Sequence, residues 1–173
     1  MASMYFQELT RAMTMLGEHP DTIFVGQQAR YDGQRMHASL AGVPMDKRIE
    51  MPVVENFQLG FCTGLSLEGF LPVSIFPRWD FLIIAADQLV NHLDKIEELS
   101  DFRPKVIIRT AVGGKHPLDP GPQHTQNHTQ GMRYILKHIP IEELRREDQI
   151  YDAYKWALGA KHSTILVEYM EAY

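Results

Sequence analysis

The sequence predicts an α/β domain: a mostly parallel sheet flanked by helices on both faces, with residues 1–173 forming one domain. Three observations carry that expectation. Short, β-rich apolar runs alternate with longer segments of helical period along the whole chain. Runs such as Val106-Ile107-Ile108 are apolar throughout, as befits strands buried on both faces. No internal repeat or low-complexity segment interrupts the alternation, and 173 residues suit one domain of ordinary size.

The elements follow in order. Phe6, Leu9, Met13 and Leu16 recur at helical spacing, and Gly17 followed by His19-Pro20-Asp21 stops that helix. Thr22-Ile23-Phe24-Val25 reads as a buried strand ending at Gly26. Residues 27–48 show no clear period and read as a long loop. Ile49-Glu50-Met51 reads as a brief strand broken by Pro52. A helix is expected over 57–67, with Gly60 and Gly64 on one face. Each internal glycine costs a helix roughly 1 kcal/mol against alanine, so close packing is expected there. Residues 72–76 read as a strand, 81–99 as one helix, and 106–109 as a strand running into Gly113-Gly114. The segment 113–131 is rich in glycine and proline, holds His116, His124 and His128, and is too long for a mere connector. A helix over 133–138, a strand over 141–144, a helix over 151–158 and a strand over 164–168 complete the pattern.

Composition narrows the function classes. Apolar residues make up 45% of the chain, enough for a sizeable core, and the net charge of −5 argues against a basic nucleic-acid footprint. One cysteine, Cys62, allows neither an internal disulfide nor a cysteine-cluster zinc site. The first residues lack the cationic start and apolar core of a secretory signal, and no apolar run approaches the ~18 residues that span a bilayer. A soluble, cytoplasmic protein is expected.

In such folds ligands bind beyond the carboxyl ends of the strands, where two unusual segments lie. Glu55 stands at an expected helix start among apolar neighbours. It reads either as a carboxylate favoured by the helix dipole or as a partly buried acid able to share a proton with a ligand nitrogen. His124 and His128, four apart, fit a zinc pair with His116, Asp119 or His138 as a third ligand, or polar loop residues that touch a ligand. Asp87, Asn91 and Lys95 recur at intervals of four, which stacks them on one helix face. Phe76, Trp79 and Phe81 crowd the turn before that helix, as core or as a face for a flat heterocycle. Walker, dinucleotide-binding and nucleophile-elbow motifs are missing.

Taken in order, Pro52-Val53-Val54-Glu55, Gly60, Gly64, Gly69-Phe70-Leu71-Pro72-Val73, Asp80-Phe81, Asp87-Gln88-Leu89-Val90-Asn91, Lys95, Val106-Ile107-Ile108-Arg109-Thr110, Gly113-Gly114, Gln123-His124-Thr125-Gln126, His138-Ile139-Pro140 and Ile165-Leu166-Val167-Glu168 resemble a known domain. It is the pyrimidine-binding domain of the transketolase and 2-oxo acid dehydrogenase beta-subunit family. The resemblance covers nearly the whole chain.

The resemblance implies thiamine diphosphate as cofactor. Glu55 matches the glutamate that hydrogen-bonds a pyrimidine ring nitrogen and favours the tautomer that activates the thiazolium. Phe81 matches the aromatic residue stacked on the aminopyrimidine. His124 matches a loop histidine that reaches the active site. Gly60, Gly64, Asp87, Asn91 and Lys95 match a subunit-interface region. The implied function is the pyrimidine-binding subunit of a two-chain enzyme acting on a small 2-oxo acid or ketose, inactive alone. An alpha-type partner chain would hold the diphosphate and magnesium, in a homodimer or α2β2 assembly, and no metal ligand is expected in this chain. Three departures stand out: Gln27-Gln28 replace an acidic residue usual near Gly26, the strand after Pro140 carries Glu142-Glu143-Leu144-Arg145-Arg146, and the family's following domain is lacking. They leave a second expectation, a non-catalytic partner or scaffold that kept the fold without the cofactor.

Overall fold

The computed structural model describes residues 2–33, 35–115 and 119–173. Its centre is a six-stranded sheet in the order β2-β1-β3-β4-β6-β5, with every pairing parallel. The strands are β1 (Thr22–Gly26), β2 (Arg48–Glu50), β3 (Leu71–Phe76), β4 (Ile107–Val112), β5 (Ile141–Leu144) and β6 (Thr164–Tyr169). All six expected strands are present, five of them within a residue of both ends, while β4 runs three residues past the expected 106–109.

Alternation along the strands feeds two cores. Phe24, Val73, Ile75, Ile107 and Leu166 face α1 (Met4–Glu18) and α7 (Glu147–Gly159). Val25, Phe76, Ile108, Ile165 and Val167 face α3 (Glu55–Leu67) and the segment that starts at α4 (Trp79–Leu82). Helices thus cover both faces, as expected. The first helix starts where Ser3 Oγ accepts the N–H of Phe6 at 3.1 Å, an N-cap that satisfies one orphan donor. On the edge strand β5, Ile141 and Leu144 point into the core while Glu142 is exposed. A charged edge of this kind resists pairing with a second sheet.

The single helix expected over 81–99 is instead four pieces. After α4 come a 3-10 turn (Ile83–Ala85), a π-helix (Gln88–Leu93) and α5 (Ile96–Leu99). The wide π-turn breaks the four-residue stacking. Asn91 still bonds Asp87 at 2.9 Å, but His92 Nε2, five residues on, also lies 3.5 Å from Asp87. Lys95 pairs with Asp94 (3.7 Å) and Glu98 (3.6 Å) rather than with Asp87. Further boundaries move, among them the helix expected over 151–158, which is α7 and starts four residues earlier at Glu147. The stretch read as loop over 27–48 contains α2 (Arg35–Ala38) and a 3-10 turn (Met45–Lys47), and the helix expected over 133–138 is α6 (Thr129–Ile135).

Asp94 explains how the far end of this broken helix is held. Its buried carboxylate accepts the backbone N–H groups of Lys137 (3.1 Å), His138 (2.8 Å) and Ile139 (3.2 Å) just before β5. Removing it orphans three buried or part-buried donors. Asp94→Ala is expected to cost about 3 kcal/mol, read as a lower urea midpoint with lost hydrogen-exchange protection at 137–139.

A bidentate ion pair lies inside the first core. Arg109 Nε meets Glu168 Oε1 at 2.5 Å and Nη2 meets Oε2 at 3.0 Å, with both side chains fully buried. Tyr154 and Tyr173 donate their hydroxyls to the same carboxylate. Burial alone would lower the pKa of the Arg109 guanidinium, but the charge of Glu168 and the neighbouring phenols outweigh it and raise it. Burial beside Glu168 pushes both phenols well above the ordinary tyrosine range. No helix of the described residues is long and apolar enough to cross a membrane.

Candidate functional site

The strand order creates one crevice by topology. From β1 the chain turns toward the β2 edge, and from β3 it turns the other way toward β4. Loops leaving neighbouring strands in opposite directions open a cleft beyond their carboxyl ends. Gly26, the last residue of β1, lets the two strands approach there, because a Cβ at that position would lie 2.5 Å from the Ile75 carbonyl oxygen. The residues beyond these two strand ends, with the amino end of α3 laid across them, form the candidate site.

Glu55 is the first residue of α3 and is 3% exposed. Pro52 and Val54 end β2's run and start the helix, which places a carboxylate at the favourable pole of the helix dipole. Gln27, next after β1, donates from Nε2 to Glu55 Oε1 at 3.0 Å. Among the described residues no hydrogen bond reaches the other oxygen.

Around Glu55 the surface is apolar. Val53 (73% exposed), Val54, Phe57 (62%) and Ile84 (57%) rim an open groove of about 710 Å³, and Phe57 stacks on Phe61 with ring centroids 6.0 Å apart. Four exposed apolar side chains thus gather around a buried carboxylate. Gly60 borders the groove; a Cβ there would stand 3.0 Å from Gln88 Oε1, so the close neighbour inferred from this glycine is the chain's own Gln88. Gly64 faces open space, with no atom within 4 Å of where a Cβ would stand.

Phe81 and His124 come together. Phe81, half-buried in α4, meets the His124 ring edge-on at a centroid distance of 5.5 Å. Nδ1 of His124 is buried with no partner among the described residues, and so is Oδ2 of Asp80. The loop that carries His124 is clamped from two sides by alternate residues. Gln126 Nε2 donates to Asp80 Oδ1 at 2.8 Å, and His128 Nε2 lies 3.5 Å from the same oxygen. Between them Asn127 turns the other way, to Glu143 (3.3 Å) and the Tyr169 hydroxyl (3.4 Å). Burial opposes ionisation of Glu143, but the Tyr169 and Asn127 hydrogen bonds and the charges of Arg145 and Arg133 outweigh it, so its carboxyl is held below the usual range.

Other expected features fare differently. His124 and His128 are in a loop and contact separate rings, Phe81 and Trp79. No group of three potential metal ligands occurs among the described residues, and His116 lies outside them. Asp87, Asn91 and Lys95 lie along the π-helix and its flanks, next to Gln88 at the groove. Burial pushes the Cys62 thiol up to about 12, against a small lowering by Ser74, so it is no nucleophile at neutral pH.

Sequence reasoning missed two contributors. Gln27 stands out in the sequence only as a departure from an acidic position, and its partner lies 28 residues away. Asp80 belongs to a quoted motif, but nothing local marks it as the anchor of the His124 loop.

No family model matches the sequence. The mitochondrial 2-oxoisovalerate dehydrogenase subunit beta of Dictyostelium discoideum is 29% identical over 98 residues, which is 53% of this chain and 26% of that protein. A solved structure described as a split gene transketolase, inactive beta4 tetramer, superposes with a TM-score of 0.73 at 16% identity, over 96% of this chain and 51% of that one. The chain therefore spans about half the length of the solved relative, and its sequence match spans about a quarter of the curated one. It has the α/β fold of a transketolase-type domain, and over half its length its sequence is similar to a 2-oxo acid dehydrogenase beta subunit.

Proposed function

We propose that residues 1–173 form the pyrimidine-binding domain of a two-chain, thiamine diphosphate-dependent enzyme acting on a 2-oxo acid or a ketose. One observation carries the reading: a 3% exposed carboxylate, Glu55, at the switch-point crevice, with one oxygen held by Gln27 and the other left for a ligand. The residues present suit an aminopyrimidine. Glu55 offers a ring nitrogen a partner, Phe81 offers a half-buried apolar face, and the unpartnered Nδ1 of His124 offers a buried site for a polar group.

Thiamine diphosphate, when bound, supplies the electron sink for cleavage beside a carbonyl carbon. The chain's own part is proton placement. Glu55 shares a proton with the ring nitrogen, and His124 holds or moves a proton at Nδ1 during turnover. Val53, Val54, Phe57 and Ile84 exclude water once covered, which strengthens each of these interactions. In this reading the cover is an alpha-type partner chain that would hold magnesium and the diphosphate, as the resemblance implies. Gly60 borders that surface, and Gly64, Asp87, Asn91 and Lys95 would belong to the subunit interface that the resemblance implies, in a homodimer or α2β2 assembly.

Calorimetry tests the reading. Thiamine diphosphate with magnesium is titrated into this chain alone and into its mixture with a diphosphate-binding chain. Saturable binding is expected in the mixture and not in the chain alone. Two chains that associate and still take up no cofactor would favour the scaffold reading instead.

A further inference from the structure

Gln27 is poised to do more than fill space beside Glu55. Its loop is built with care. Gln28 adopts a left-handed backbone (φ 59°), rare for a residue with a side chain. Both oxygens of Glu50, at the end of β2, are spent on that turn: Oε1 accepts the N–H of Gln28 at 2.6 Å and Oε2 that of Arg30 at 2.8 Å. The carbonyl of Gln28 meets His37 Nδ1 at 3.0 Å. Arg48 fastens the same stretch from beneath, donating to the carbonyls of Leu40, Val43 (2.7 Å) and Ala29 (3.4 Å). A strained backbone locked by a carboxylate and a buried guanidinium holds Gln27 against Glu55.

The chemistry of that contact is one-sided. The amide nitrogen of glutamine donates and has no lone pair to accept. Against an ionised Glu55 the opposite amide orientation would set oxygen against carboxylate oxygen, so Nε2 faces Glu55. A proton between the two residues would require the amide to turn over, so this orientation leaves Oε2 as the oxygen to carry a proton shared with a ligand. A carboxylate at position 27 would behave differently, because two acids about 3 Å apart share a proton between themselves.

We infer that Gln27 is a positioning residue that directs the exchangeable proton of Glu55 to Oε2, the oxygen left open to a ligand, and that Glu50 and Gln28 hold its backbone in place for this. The inference rests on the proposed role of Glu55, but its first test does not.

Thermal unfolding of the full chain is followed from pH 4 to pH 7 for the wild type, Gln27→Glu, and the swapped pair Gln27→Glu with Glu55→Gln. The two carboxylates of Gln27→Glu must ionise side by side as the pH rises. One folded-state pKa is thereby raised, so stability is kept at low pH and lost above it. The expected midpoint matches the wild type near pH 4 and falls about 3 °C or more below it by pH 7. The swapped pair restores one donor and one carboxylate, and with them the wild-type profile. A Gln27→Glu profile parallel to the wild type, or a swapped pair that fails to restore it, would overturn the contact. The second test reads function: Gln27→Met, which keeps size and loses the donor, is expected to weaken thiamine diphosphate binding to the assembled chains roughly tenfold. Unchanged affinity overturns the positioning role. Should the wild-type assembly take up no cofactor, the reading of Glu55 fails alone, and the unfolding profiles still decide whether Gln27 governs its proton.

Discussion

Glu55→Gln is expected to lower turnover of the assembled enzyme by roughly 10²- to 10⁴-fold, the range that a positioned acid or base contributes. The substitution keeps the shape of the side chain and a carbonyl oxygen that can still accept from Gln27. It removes the proton that a ligand nitrogen and the carboxyl would share. Because Glu55 is 3% exposed and lies at the start of α3, a neutral amide there is cheap to bury, and the fold is expected to stand. Steady-state turnover with both chains, saturating cofactor and magnesium, together with an unfolding midpoint, separates the two effects. Near-normal turnover would remove Glu55 from the proposed role, whatever the affinity for cofactor. A loss of both turnover and midpoint would assign it to structure.

Glu168→Gln is expected to be strongly destabilising, at about 3–5 kcal/mol, the usual cost of stripping one partner from a buried ion pair. The fully buried Arg109 would keep its charge and lose both of its charge-assisted bonds from Nε and Nη2. Tyr154 and Tyr173 would exchange an anionic acceptor for a single amide oxygen. The expected midpoint drop is about 10 °C or more for a chain of this size. Thermal unfolding checks it, and a loss under about 1 kcal/mol would mean that the pair is not closed in solution. This variant acts on the face opposite Glu55, so any folded fraction should retain cofactor affinity.

Strands β1, β3, β4 and β6 were legible because each is a largely apolar run too short for a helix and bounded by glycine, proline or charge. The broken helix after Phe76 was not. Its apolar residues fit a continuous period well enough to hide a π-turn, which inserts one residue's worth of rotation without changing composition. That Glu55 stands at a helix start was readable from Pro52 and from the helix that follows, since both features are local, whereas its proposed role came from the resemblance alone. Gln27 was not, because its meaning lies in a contact across 28 residues that only the β1–β3 crevice creates. Arg109 and Glu168 sat in plain view as opposite charges in the two most apolar strands, Val106-Ile107-Ile108-Arg109 and Ile165-Leu166-Val167-Glu168. Read as a pair, they would have placed these strands side by side, as the register does: Arg109 lies opposite Leu166, with Glu168 two residues along the same face.

The clamp on the His124 loop has a thermodynamic consequence. Ordering a backbone residue costs roughly 1–2 kcal/mol of conformational entropy, and a loop that orders on ligand arrival subtracts that sum from affinity. Asp80 grips Gln126 and His128 while Glu143 and Tyr169 grip Asn127, so for these residues the cost is met when the chain folds. A ligand that binds at Phe81 and His124 as proposed would meet a wall already standing. Its binding enthalpy can then go into affinity rather than into building the loop that receives it.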